Sequence, residues 1–162
     1  MRTYLSGGME YAEGEGRNWR NEVQEWLLRD LGHTVFNPNL ESERFFSLHY
    51  PEVDFREAKT ARPALYREIA ARLVDTDCQE IALRSDYVIC YWDAGAVKGA
   101  GTKGELTVAR YFGKPVYLVT SIGFQDIPGW VLGCTTEFFS SFEDLRTFLI
   151  DRAQLSVPEA RP

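Results

Sequence analysis

The segment Tyr87-Val88-Ile89-Cys90-Tyr91-Trp92 is almost continuously apolar. A strand with one face in water alternates apolar and polar residues, because neighbouring side chains point to opposite faces. A strand without that alternation is covered on both faces, the condition of a strand inside a parallel sheet flanked by helices. Such a sheet needs helices between its strands.

The rest of the chain supplies them. Arg2–Ser6 is a β-type run ended by Gly7-Gly8. From about Asn18 to Leu31, Val23, Trp26, Leu27 and Leu31 fall at helical spacing, and Gly32 closes the segment. His33–Phe36 reads as a second strand, cut by Asn37-Pro38. Asn39–Ala61 mixes Phe45, Phe46, Tyr50 and Phe55 with charges and has no sustained period, so it reads as a long, partly helical excursion. Pro63 suits a first helical turn, and Leu65, Ile69 and Leu73 continue that helix to about Arg84, with a break expected near Asp75–Asp77. After a loop over Ala94–Thr102, a helix carrying Leu106, Val108, Ala109 and Phe112 ends at Gly113, and Pro115–Val119 forms the next strand. Phe138 and Phe139 mark a short edge strand, and Ser141 caps a helix to about Asp151. The expected fold is α/β: a single doubly wound, mostly parallel sheet flanked by helices, Rossmann- or flavodoxin-like. One domain is expected over residues 1–155, with 156–162 a loose tail.

A chain of 162 residues with 44% apolar content buries one core. Its net charge of −6 argues against a protein that grips polynucleotides by neutralising phosphates and favours a small ligand. Cys78, Cys90 and Cys134 form no CxxC or Cys/His cluster, and His33 and His49 have no companions at metal spacing, so no metal or cofactor is expected. No secretory signal and no membrane-length apolar segment is read, and a cytoplasmic location is expected.

Ligands of doubly wound sheets gather beyond the carboxyl ends of the strands. Three segments arrive there: Ser6–Arg20, Asp93–Glu105 and Thr120–Trp130. The expected pocket forms where the Tyr4–Met9 turn meets the Gly101–Glu105 turn, with Gly101 and Thr102 at its edge. Gly7-Gly8 would let a ligand approach the backbone, and Arg17 and Arg20 would add charge, although a plain tight turn explains the glycines equally well. Glu105, read as opening a helix, would be kept ionised by the helix N-terminus, as a nucleophile requires; the plainer reading is dipole compensation. Tyr4 reads as a core aromatic with a satisfied hydroxyl. Trp92 and Trp130 either stack a base or pack the sheet end, and Asp77 and Asp93 add carboxylates. Asp86 reads as capping the strand entrance at the opposite edge.

In order along the chain, Tyr4-Leu5-Ser6-Gly7-Gly8-Met9, Gly32-His33-Thr34-Val35-Phe36-Asn37-Pro38, Ser85-Asp86-Tyr87-Val88-Ile89, Gly101-Thr102-Lys103-Gly104-Glu105-Leu106 and Gly113-Lys114-Pro115-Val116 resemble the nucleoside 2-deoxyribosyltransferase family. The resemblance implies a Rossmann-like enzyme, assembled as a homo-oligomer of two or more copies, whose glutamate attacks the anomeric carbon of a nucleoside. It puts Glu105 at that nucleophile and Tyr4 at the tyrosine that orients it. Asp77 is the nearest candidate for the aspartate that handles the base, with an interval to Asp86 one residue longer than usual; Asp75 and Asp93 are the alternatives. Related nucleotide N-glycosidases bind a 5′-phosphate near the first loop, where Ser6, Arg17 and Arg20 stand.

The implied function is cleavage or transfer of the N-glycosidic bond of a (deoxy)nucleoside or nucleoside 5′-monophosphate through a covalent intermediate on Glu105. The second reading is a non-catalytic nucleotide-binding or sensing module on the same fold. The third is a partner-binding protein using the aromatic excursion.

Overall fold

The computed structural model describes residues 1–155, so the expected tail over 156–162 lies outside the described residues. Strands β1 (Arg2–Gly7), β2 (Thr34–Phe36), β3 (Tyr87–Tyr91), β4 (Val116–Val119) and β5 (Glu137–Phe139) form one sheet in the order β2-β1-β3-β4-β5. Every pairing is parallel. The chain winds outward from β1 in one direction and from β3 in the other, so the crevice at the carboxyl ends of β1 and β3 is the topological switch point. This is the doubly wound α/β fold expected from the sequence.

Alternation along the strands splits the core into two layers. Tyr4, Val88, Cys90, Val116 and Leu118 face one side with Leu106 and Ala109 of α6 (Gly101–Tyr111) and Val131 of α7 (Gly129–Cys134). Leu5, Tyr87, Ile89, Tyr117 and Val119 face the other, under Val23, Trp26 and Leu27 of α1 (Arg17–Leu31) and Leu145 and Leu149 of α8 (Phe142–Leu155). Ser141 caps α8 by accepting the Asp144 amide at 3.1 Å. Asp86 accepts the Arg2 amide at 2.7 Å and ties the entrances of β1 and β3 together, at the edge away from the crevice.

Four local features differ from expectation. The excursion is two full helices, α2 (Pro38–His49) and α3 (Phe55–Ala61), started by Asn37 and Asp54, whose side chains accept the Asn39 and Glu57 amides. Their aromatic residues pack on one another rather than along a sheet-facing stripe, which is why no helical period is visible. Phe46 meets Phe55 at 5.1 Å, and Phe55 stacks on Tyr66 of α4 (Pro63–Gln79) at 4.6 Å. Second, α4 runs unbroken through Asp75–Asp77 and widens only afterwards, into a π-turn over Glu80–Arg84. Third, the loop after β3 contains a short helix, α5 (Ala94–Lys98), capped by Asp93. Fourth, α6 begins at Gly101, so Glu105 sits in its second turn rather than at its opening.

The turn after β1 is packed from both sides. A Cβ added at Gly8 would lie 2.8 Å from the Ala96 nitrogen and 2.9 Å from the Gly95 carbonyl carbon, both backbone atoms of α5. One added at Gly104 would meet nothing within 4 Å. Gly8→Ala should therefore destabilise the protein by about 1–3 kcal/mol, whereas Gly104→Ala should stabilise it by about 0.5–1 kcal/mol. Urea denaturation of the two variants checks this; equal midpoints would mean that the turn yields to the methyl group.

Candidate functional site

Tyr4 and Ser6 are two residues apart on β1 and therefore point to the same face. Above them stands Glu105. The Tyr4 hydroxyl donates to Glu105 Oε1 at 3.1 Å, and Ser6 Oγ donates to Oε2 at 2.5 Å, so each carboxylate oxygen has its own donor. Tyr4 is fully buried and stacks on Phe36 at 5.3 Å, which holds its ring while its hydroxyl serves the carboxylate. Asp77 comes from α4 close enough to the same hydroxyl and to Glu105 for each to act on its carboxylate. Strand β1 thus carries a tyrosine between two acids delivered by two helices.

The surroundings perturb all three groups. Burial raises Glu105, opposed by the Ser6 hydrogen bond, the Arg20 charge and the Tyr4 hydrogen bond. The helix N-terminus does not keep this carboxylate ionised, as read from sequence; two hydroxyl donors and a buried guanidinium act in that direction instead. Asp77 is pushed from its usual 3.8 up to about 7, by burial first and by the Glu105 charge second. Tyr4 is held well above its ordinary value by burial and by the negative charge of Glu105 and then Asp77, so its hydroxyl remains a donor. Both carboxyls are shifted upward, because burying two neighbouring carboxylates both ionised is costly, and Asp77 titrates around neutrality.

Arg20 is 1% exposed and does not reach the pocket. Its guanidinium donates to the carbonyls of Leu5 (3.3 Å), Gly7 (3.0 Å), Gly8 (3.5 Å), Glu15 (3.0 Å) and Gly16 (3.2 Å), and to Asn39 Oδ1 (3.3 Å). Gly16 adopts φ +66, and a Cβ there would lie 2.7 Å from an Arg20 nitrogen. Arg17 is ion-paired with Glu15 at 2.9 Å and with Glu43. Gly7 and Gly8 make room for protein rather than ligand: a Cβ at Gly7 would meet the Trp19 ring at 2.9 Å.

Of the other candidates, Gly101 flanks the Glu105 carboxylate, its ideal Cβ position lying 3.9 Å from Oε1, and Thr102 is buried beneath it. Asp93 caps α5 by accepting the Ala96 amide at 2.8 Å. Trp92 is fully buried in the core, with its indole N–H unpaired, and offers no free face for stacking. Trp130 is 67% exposed and donates to Thr107 Oγ1 at 2.8 Å. Asp75 is exposed, unlike its neighbour Asp77. Among the described residues no group of His, Cys, Asp or Glu side chains could hold a metal, and no helix is long and apolar enough to cross a membrane.

Asp77 also ends a cavity of about 730 Å³ running between the β1–α1 turn and the excursion. Met9 and Tyr11 line one wall, and Phe46, Val53, Phe55, Tyr66 and Leu73 line the other. Sequence reading left residues 39–61 open between a partner surface and a pocket lid. The wall's only signal was a cluster of aromatics without a period, which marks packing within an excursion but not what the excursion encloses.

No family model and no curated protein matches the chain. Solved structures do. A 2-deoxyribosyltransferase from the psychrotolerant bacterium Bacillus psychrosaccharolyticus aligns over 94% of this chain and 96% of its own, with a TM-score of 0.66 and 23% identity. The fold is that of a 2-deoxyribosyltransferase. A second similar structure, the CMP N-glycosidase BcmB of Clostridium botulinum, aligns over 97% of this chain and all of its own, with a TM-score of 0.51 and 15% identity.

The raised Asp77 has a measurable consequence for stability. Its folded pKa lies above the unfolded value, so its contribution is fully present below about pH 4 and is lost as pH rises through about 7. Asp77→Asn should gain about 4 kcal/mol over the parent between pH 4 and pH 8. Chemical denaturation across that range reads the difference; a gap independent of pH would mean that Asp77 titrates normally.

Proposed function

We propose that the protein cleaves or transfers the N-glycosidic bond of a nucleoside or nucleotide, with Glu105 as the nucleophile. The observation that carries this reading is the Asp77–Tyr4–Glu105 cluster, in which a buried tyrosine bonded to Glu105 stands with a second acid of raised pKa, Asp77, at the switch point. The likeness in fold to a 2-deoxyribosyltransferase and a CMP N-glycosidase supports the same chemistry.

In the reaction, one Glu105 oxygen bonds to the anomeric carbon as the carbon–nitrogen bond breaks, and the electron pair leaves with the base. Asp77, protonated near neutrality, gives its proton to that base. Tyr4 and Ser6 hold the carboxylate in line, and their hydrogen bonds weaken as its charge is spent on the new bond. In the second half, a new base or a water molecule attacks the same carbon from the opposite face. Glu105 leaves as a carboxylate and the proton of the acceptor returns to Asp77. Transfer and hydrolysis differ only in the acceptor, hence in how far bound base excludes water from the glycosyl-enzyme.

Leu83 on the π-turn, Tyr111 on α6 and Trp130 on α7 are 71%, 85% and 67% exposed, on elements that contact one another, and a homo-oligomer would bury such side chains.

Base release from a panel of nucleosides and nucleotides, with and without a free acceptor base, should vanish in Glu105→Ala. It should fall about 10–100-fold in kcat in Tyr4→Phe, with KM little changed. Mass spectrometry of denaturant-quenched parent enzyme should find a glycosyl adduct on Glu105. Undiminished release by Glu105→Ala would remove it from the reaction, and binding without turnover in the parent would make the chain a sensing module.

A further inference from the structure

Strand β1 outruns its neighbour β2. Its carbonyls alternate between two edges: the Thr34 amide of β2 donates to the Met1 carbonyl, and the Asp86 amide, just ahead of β3, donates to that of Arg2. The odd-numbered carbonyls therefore face β2, which ends at Phe36, opposite Tyr4. Pro38 has no N–H with which to extend the ladder. Leu5 and Gly7, on either side of Ser6, thus turn their carbonyls to an edge where no strand runs.

Arg20 stands in for the missing strand. Its Nε donates to the Leu5 carbonyl at 3.3 Å and its Nη2 to the Gly7 carbonyl at 3.0 Å, so one edge of the planar fork spans both. Its Nη1 is tied to the carbonyls of Gly8, Glu15 and Gly16 and to Asn39 Oδ1, and the guanidinium lies over the Trp19 ring at 4.6 Å. Between the two gripped carbonyls stands Ser6, whose hydroxyl reaches Glu105 Oε2 at 2.5 Å.

Among the described residues Arg20 is the one buried cation. Arg17, Arg56 and Lys59 lie at the surface in ion pairs, where solvent and salt screen them. The titratable groups that act on Arg20 come from four elements: Glu105 of α6 foremost, then Tyr4 of β1, Cys90 of β3 and Asp93 at the start of α5. Asp77 of α4 feels the guanidinium in turn.

We infer that Arg20 is a positioning residue of the reaction: without reaching the substrate, it fixes Ser6 against Glu105 by gripping the carbonyls on both sides of it, and it supplies the buried positive charge that acts on the carboxylate. Its effect on rate rests on the reading of Glu105 as the nucleophile; its hold on Ser6 and Glu105 does not.

Removing the charge in Arg20→Met disfavours the ionised forms of Glu105 and Asp77, so both limbs of the kcat/KM profile should move to higher pH by about one unit. Arg20→Lys keeps the charge and loses the fork, so its profile should stay in place while kcat falls about tenfold. That loss should largely vanish in a Ser6→Ala background, because the two residues act through one hydrogen bond. A folded Arg20→Met with unmoved limbs overturns the inference, as do losses from Arg20→Lys and Ser6→Ala that simply multiply.

Where a substituted Arg20 does not fold, the parent protein decides. The Arg20 Nε resonance in nitrogen NMR should follow the ionisation of Glu105, read by carbon NMR of its carboxyl, and should lose that inflection in Glu105→Gln. An Arg20 signal that ignores Glu105 overturns the inference. A parent that shows the coupled titration but releases no base from any nucleoside or nucleotide removes the proposed function and leaves the hold of Arg20 on the site standing. Turnover with an uncoupled titration keeps the function and removes Arg20 from it.

Discussion

A guanidinium taken out of water must find an acceptor for each N–H it turns inward, because an unpaired buried charge costs several kcal/mol. Arg20 meets this demand almost entirely with backbone carbonyls of one turn and the end of one strand. The remaining acceptor, Asn39, lies at the start of α2. The geometry of the turn follows from that demand. Its carbonyls face inward, Gly16 takes a left-handed conformation beside the charge, and α2 is drawn against the turn. With α2 in place, α3 and α4 close the aromatic wall, and the cavity exists between them. The same charge is among the groups that favour ionised Glu105 over its neutral form, so one buried cation shapes both the wall of the site and its electrostatics.

The two acids are differentiated by their partners more than by their burial. Glu105 has a donor on each oxygen and shares the field of Arg20, all of which favour its charged form. Asp77 also feels the Arg20 charge but has no donor on either oxygen comparable to those on Glu105, and the Glu105 charge beside it favours its neutral form. Acid and base roles in paired carboxylates arise when environments push two pKa values apart. Tyr4 lies between them, its ring fixed by Phe36, and stays protonated through the range in which the acids exchange a proton.

Legibility differed between segments for physical reasons. β1, α1, β3, α6 and α8 were readable because their apolar residues face one continuous core, and such a face imposes a period. The excursion was not, since Phe45, Phe46, Phe55 and Tyr66 pack among themselves and Arg72 lies over the rings of Phe45 and Tyr50. The break expected near Asp75–Asp77 does not occur: α4 continues there, with Asp75 exposed and Asp77 turned toward Tyr4. Arg20 illustrates the hardest case. A basic residue in the first turns of a helix beside a glycine pair reads as an anion ligand, and nothing local in the sequence says that its charge is turned inward.

What the sequence by itself determined is the alternation of strands and helices, the parallel sheet that an unalternating β3 demands, and the presence of Tyr4, Ser6 and Glu105 at strand and helix positions that converge at the switch point. These follow from periodicity and from connection rules, which act over a few residues at a time. What only the tertiary structure decided is which groups share a buried volume: Asp77 beside Tyr4, Arg20 inside the turn, Trp92 in the core, and an aromatic wall facing Met9 and Tyr11. Burial and charge proximity depend on residues far apart in the chain, and they set protonation and access, so the chemistry of the site became visible only when those distances were known.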